Sequence, residues 1–229
     1  MSTKEAAREC GAHVGAVGAL SVVSSCGVDV CGWSGGRQRF DRDGTDFIVV
    51  SEATTLVVSH GRYPLPTGSY AVVPGAGWLM GGAGLRVRES RHRGLFMVGG
   101  PVEAAGRLRY IDGCSDTVLV APIVRGDPCL NFLHLPPGVV QTDHEHPSLR
   151  VGLVLRGAGI CVVDRDGAVS ELCPGTAFVL EPGIVHRFES QDAPLDIVAW
   201  HPDSEDGPTD DDHPMLNRTL KPGTVTRVR

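Results

Sequence analysis

Three histidines stand in a glycine frame that constrains this 229-residue chain more than any other feature. Gly138 is followed by His144-Glu145-His146, and Gly157 closes the stretch; a second piece runs from Gly175 through Pro182-Gly183 to His186. Side chains two apart on an extended strand share a face, so His144 and His146 can reach one metal ion while Glu145 points away. Pro182-Gly183 sets a turn before His186, a hairpin placement that can bring a third imidazole from a neighbouring strand. Imidazole suits Zn, Fe, Cu and Ni alike, so these ligands do not name the metal.

The layout resembles the two motifs of the cupin superfamily, GxxxxxHxHxxxExxxxxxG (or one residue longer) and GxxxxxPxGxxHxxxN. On this chain the first runs Gly138, His144, His146, Arg150, Gly157, and the second runs Gly175, Glu181, Gly183, His186, Ser190. Every glycine and histidine is in place. Arg150 stands where the family has its acidic ligand, the proline is displaced by one to Pro182, and Ser190 replaces the terminal asparagine. The resemblance implies an all-β fold of cupin-type double-stranded β-helix (jelly-roll) barrels, with His144, His146 and His186 as metal ligands. It also implies a homodimer, because cupins often pair through strand edges.

Composition agrees with many short strands joined by tight turns, since thirty glycines and sixteen prolines accompany 41% hydrophobic residues. Apolar or β-branched runs bounded by turn residues predict strands at 47–50, 55–58, 70–73, 86–88, 95–98, 117–120, 130–135, 150–155, 160–163, 177–180 and 197–200. Helix is expected only at 3–9. A net charge of -6 argues against nucleic acid, which needs a basic surface. No run approaches the roughly 20 apolar residues of a membrane span, and the mildly apolar, glycine-rich stretch 11–23 with its His13 does not read as a signal peptide. Seven cysteines without CxxC spacing indicate neither a disulfide framework nor a zinc ribbon and fit a reducing cytoplasm.

The halves align at a shift of 105 residues, with 47–59 over 152–164 in apolar pattern, and Gly61, Gly68 and Gly75 over Gly167, Gly175 and Gly183 with small gaps. Two tandem barrels follow. The shift lays His144 and His146 over Arg39 and Asp41, and the second motif lays His186 over Trp78, so the first half cannot hold a metal in this way. The expected organisation is an extension (1–29), a degenerate cupin-like domain (30–110), a metal-binding cupin domain (111–202) and an acidic tail (203–229), the tail read as solvated.

Three neutral imidazoles leave coordination positions open, which implies a catalyst or a binder rather than a closed structural site. Arg150 shares the parity of the two histidines, although Pro147 interrupts the strand. Facing inward, its guanidinium would add positive charge to a site without a carboxylate, and so call for a small anionic substrate, with Arg150 as the substrate-binding residue. Within the family, three-histidine sites resemble those of ferrous dioxygenases, so Fe(II) is the favoured ion, with Zn, Mn, Ni and Cu as alternatives. Redox-neutral isomerases, epimerases and cyclases that use the ion as a Lewis acid are the second class, and a non-catalytic small-molecule binder is the third. His201, Cys161 and a lid built from Met215, Leu216 and Arg218 are secondary candidates; His60, His92 and His134 receive no role.

Overall fold

A computed structural model describes residues 11–23, 28–41, 43–163 and 167–219. The helix expected at 3–9 lies outside them. The first part of the chain gives β1 (Ala12–Ala16), β2 (Ser21–Val23), β3 (Asp29–Ser34), β4 (Arg37–Phe40), β5 (Thr45–Glu52), β6 (Thr54–Val58), β7 (Gly61–Leu65), β8 (Tyr70–Pro74), β9 (Gly77–Met80), β10 (Ala83–Glu89) and β11 (Met97–Gly99). The second gives β12 (Leu108–Arg109), β13 (Ser115–Val120), β14 (Cys129–Leu135), β15 (Arg150–Val163), β16 (Ala168–Leu172), β17 (Thr176–Leu180) and β18 (His186–His201), then a short helix α1 (Pro214–Thr219). The fold is all-β, as expected.

Three sheets form. A six-stranded sheet runs β11-β8-β5-β10-β3-β2 and a four-stranded sheet runs β4-β9-β6-β7, while the second half makes one eight-stranded sheet, β1-β17-β15-β18-β14-β13-β12, with β16 paired to β15. Trp33, Phe40, Ile48, Leu56, Leu65, Val73 and Leu79 fill the space between the first two sheets. Leu133, Val154, Cys161, Phe178, Phe188 and Ile197 belong to a second interior inside the rolled eight-stranded sheet. Between them a third apolar layer joins Phe47, Val49 and Leu85 of the first half to Phe132, Val151, Leu153, Val198 and Trp200 of the second.

These layers explain the sequence pattern. β5 reads Thr-Asp-Phe-Ile-Val-Val with hardly any polar alternation because Ile48 and Val50 face one core while Phe47 and Val49 face the other. A strand covered on both sides loses its polar face. Cys161 likewise packs in the second interior, buried, and is core rather than site.

Four features differ from expectation. β1 is not a free extension: it pairs antiparallel with β17, so residues from the start of the chain complete the sheet that carries the histidines. The strands predicted at 150–155 and 160–163 are one strand of 14 residues. Register shifts at Val154/Arg156 and Gly157/Gly159 bend it against β18 without ending it. Gly157 has φ +85°, and a Cβ there would lie 1.6 Å from the Pro194 carbonyl oxygen, so this bulge accepts no other residue unchanged. The strand predicted at 95–98 forms only as β11, at its far end. Finally, the acidic tail docks up to residue 208: Gly126 and Arg125 donate backbone bonds to Ser204 and Pro208, and Ser148 Oγ donates to the Asp203 carboxylate at 2.6 Å. A tail that carries the acceptor for a buried serine is not simply solvated.

Candidate metal centre

His144 and His186 face each other as an isolated antiparallel bridge, with His144 N–H to His186 O at 3.0 Å and His186 N–H to His144 O at 2.8 Å. His146 lies outside any strand, just before a bend at Pro147 and Ser148, which corrects the strand reading of 144–146, and its carbonyl accepts from Gly183 N–H at 2.9 Å. The turn at Pro182-Gly183 therefore anchors His146 as well as placing His186. Ring centroids are 5.1 Å apart for His144 and His146, 4.5 Å for His144 and His186, and 5.2 Å for His146 and His186. One ligating atom from each residue fits within 4.8 Å of the other two, the sole such grouping of histidine, cysteine and carboxylate side chains among the described residues. Glu145 is exposed and contributes nothing.

The tautomers suit metal binding. His144 Nδ1–H donates to the Thr142 carbonyl at 2.8 Å and His186 Nδ1–H to the Ile184 carbonyl at 2.9 Å, which leaves each Nε2 lone pair free. Burial pushes the His186 pKa down to about 4, with His144 and Arg150 adding to the effect. Burial likewise pushes His146 down to about 3, with help from Arg150, His186 and His144. Both rings are neutral at pH 7, as ligands must be. The donor set fits a divalent ion.

The histidines open onto a cavity of about 390 Å³ inside the rolled sheet. Arg150 lines it, as its parity predicts: Arg150 pairs with Leu180, which lines the same wall. Its Nη1 donates to Ser148 Oγ at 2.6 Å, to the Ser148 carbonyl at 3.2 Å and to the Leu149 carbonyl at 3.0 Å. Nη2 and Nε have no hydrogen-bond partner among the described residues. Burial lowers the Arg150 pKa from its ordinary value, with Asp203 opposing; the group stays charged.

His201 also reaches the cavity but is not a fourth ligand. Its Nδ1–H donates to the Asp203 carbonyl, and Nε2 accepts from the Cys129 thiol at 2.7 Å, whose pKa burial pushes up to about 12. Tyr110, Asp116, Asn131 and Asp206 are lining residues that the sequence reading did not place. Met215 is 65% exposed, and neither it nor Leu216 is among the residues lining the cavity, so these two do not close it as a lid.

The aligned positions of the first half carry different side chains. Arg39 pairs with Trp78 in β4 and β9 just as His144 pairs with His186, so the aligned positions do meet. Yet Arg39 is exposed and its guanidinium lies 5.6 Å from the Trp78 ring, while Phe40 and Leu79, their buried neighbours, fill the interior. Apolar side chains occupy that half.

A family model described as a cupin domain matches residues 131–201, the stretch from β14 through β18 that holds all three histidines. This chain carries a cupin domain. A cupin 2 conserved barrel domain protein from Leptotrichia buccalis is 14% identical, with 76% of this chain and 82% of that one covered at a TM-score of 0.53. Salicylate 1,2-dioxygenase from Pseudoaminobacter salicylatoxidans, solved as adducts with gentisate, is 13% identical over 76% and 67%, at a TM-score of 0.56. At such identities the likeness is one of fold. A search of curated proteins finds no match. The cupin domain and its three-histidine group together make a metal-dependent cupin, and no helix among the described residues is long and apolar enough to cross a membrane.

Proposed function

We propose that the protein is a mononuclear three-histidine dioxygenase, with Fe(II) as the favoured ion, acting on a small anionic substrate. The observation that carries this reading is the shared cavity: a group of three imidazoles with no carboxylate among the grouped ligands, beside an arginine with two unspent donor positions. His144, His146 and His186 would hold the ion. When bound, ferrous iron supplies open positions for substrate and oxygen and the redox change that their reaction needs.

The chain's own residues do the rest. Nη2 and Nε of Arg150 receive a carboxylate, and Ser148 with Asp203 fixes the guanidinium from behind. Leu133, Phe178, Leu180, Phe188 and Ile197 line the apolar part of the cavity and keep water away from the substrate body. We read 30–110 as a degenerate cupin barrel that buttresses 111–202, and a homodimer in a reducing compartment as the working state.

A redox-neutral isomerase or cyclase is the second reading, favoured by Asp116. Burial pushes its carboxyl up to about 6, so it can hold or release a proton near neutral pH. Metal analysis with oxygen uptake separates the two. Iron, with oxygen consumed on adding a carboxylate from a panel headed by salicylate and gentisate, supports the dioxygenase. Turnover without oxygen on zinc or manganese contradicts it.

A further inference from the structure

We infer that the cavity takes a bipolar ligand: a carboxylate held by Arg150 that carries, at its far end, a hydrogen-bond donor received by Asp116 and Asn131. The inference rests on the anionic-substrate reading above and adds two specificity-determining residues to it.

Register places the acceptors together. In β13 and β14, Asp116 pairs with Leu133 and Val118 with Asn131; in β14 and β18, Leu133 pairs with Ile197 and Asn131 with Ala199. Asp116 and Asn131 are therefore diagonal neighbours on one face, and both line the cavity with Val118, Leu133, Ile197 and Ala199. A single donor group can sit between them. Arg150 enters the same cavity from β15, which lies beyond β18 on the other side of β14. The cavity thus receives a guanidinium from β15 and two acceptors from β13 and β14, with Leu133, Ile197 and Ala199 as apolar lining beside them and Arg109 on the neighbouring β12.

Both acceptors are unspent. The Asn131 carbonyl oxygen is buried and has no partner. Among the described residues no hydrogen bond or ion pair reaches the Asp116 carboxylate either. Gln141 is already committed, accepting from Phe188 N–H and donating to the Cys114 sulfur, and His201 is held at both nitrogens; Arg109, Tyr110 and Asp206 also line the cavity. A buried acceptor left empty is costly. Burial alone raises the Asp116 pKa, with no positive side chain compensating it. A donor on the ligand, either a hydroxyl or an ammonium, relieves both costs at once, whereas an alkyl or aryl terminus would seal them in.

Straight-chain carboxylates of four to eight carbons provide the test, each as the unsubstituted, ω-hydroxy and ω-amino form, titrated calorimetrically into the full chain supplied with Zn²⁺. At the best-fitting length, a terminal donor should tighten binding at least tenfold, and the hydroxyl and ammonium arms report which donor is preferred. Asp116→Asn should remove most of an ammonium preference and Asn131→Leu most of a hydroxyl preference, each read as the ratio of donor-bearing to unsubstituted acid in the same variant. Arg150→Gln should weaken every arm. A terminal donor that gains nothing at any length, or a gain that survives both cavity variants, overturns the inference while leaving carboxylate binding through Arg150 standing. Absence of binding by every acid overturns the anionic-substrate reading itself, and this inference with it.

Discussion

Asp116 gives the sharpest stability prediction, because a residue placed for a ligand should burden the empty fold. Its carboxyl is raised from 3.8 to about 6 by burial. Two units correspond to about 3 kcal/mol against the charged form. The side chain is only partly buried, so solvent screening cuts this to about 1–1.5 kcal/mol. The sign follows from linkage. Below about pH 3.8 the group is protonated in folded and unfolded chains alike and nothing is lost; above about 6 both are ionised and the folded state carries the full penalty. Asp116→Asn removes the charge with nearly the same shape. It should stabilise the ligand-free protein by about 1–1.5 kcal/mol at pH 7.5, or about 3–5 °C in Tm for a chain of this size, and by about a third of that at pH 4.5. Thermal unfolding of both proteins at the two pH values is the assay. A variant that is no more stable at pH 7.5, or equally stabilised at both, refutes the reasoning.

Other perturbations test other parts of the account. Gly157→Ala should cost more than about 3 kcal/mol, because it combines a φ of +85° with a Cβ 1.6 Å from the Pro194 carbonyl oxygen; a soluble variant with an unchanged denaturation midpoint would contradict the bulge. His186 is held neutral in the fold, down to about 4 from the ordinary 6.5, so the unfolded chain takes the proton first and metal-free stability should fall as pH drops from 6.5 toward 4, by up to about 3 kcal/mol. Chemical denaturation of the metal-free protein across that window should show a shallower fall in His186→Gln, and identical slopes would contradict it. Arg150→Glu should bind the divalent ion more tightly while losing affinity for carboxylates in calorimetry; a variant that gains affinity for both refutes the charge argument.

The histidine frame was legible because its chemistry is local. The turn at Pro182-Gly183, the bulge glycine at 157 and the three imidazoles each leave a mark at fixed spacing. Arg150 was legible through parity, since a register error of one residue would have turned it out of the cavity. The opposite wall was not legible. Asn131 sits in the apolar run read as a strand at 130–135 and Asp116 just ahead of the one read at 117–120, and nothing in one sequence says that β13 and β14 curl round to face the histidines. Alternation held the one available signal, because Asp116 and Val118 share one sheet face with their partners Leu133 and Asn131. The same limit hid the place of β1, whose partner β17 lies more than 150 residues away in sequence. Glycines misled in one case: Gly157 and Gly159 suggested a break between two strands, yet they bend a single one.

The central claim is that His144, His146 and His186 hold one divalent ion with positions left open. Titrating chelator-stripped full chain with Fe(II) under anaerobic conditions, and with Zn²⁺, measures it directly. The account predicts one ion per chain, bound by the wild type and lost from His186→Ala and His146→Ala while their strand content stays intact. A wild type that binds no ion, or alanine variants that bind it as well as the wild type does, would contradict it.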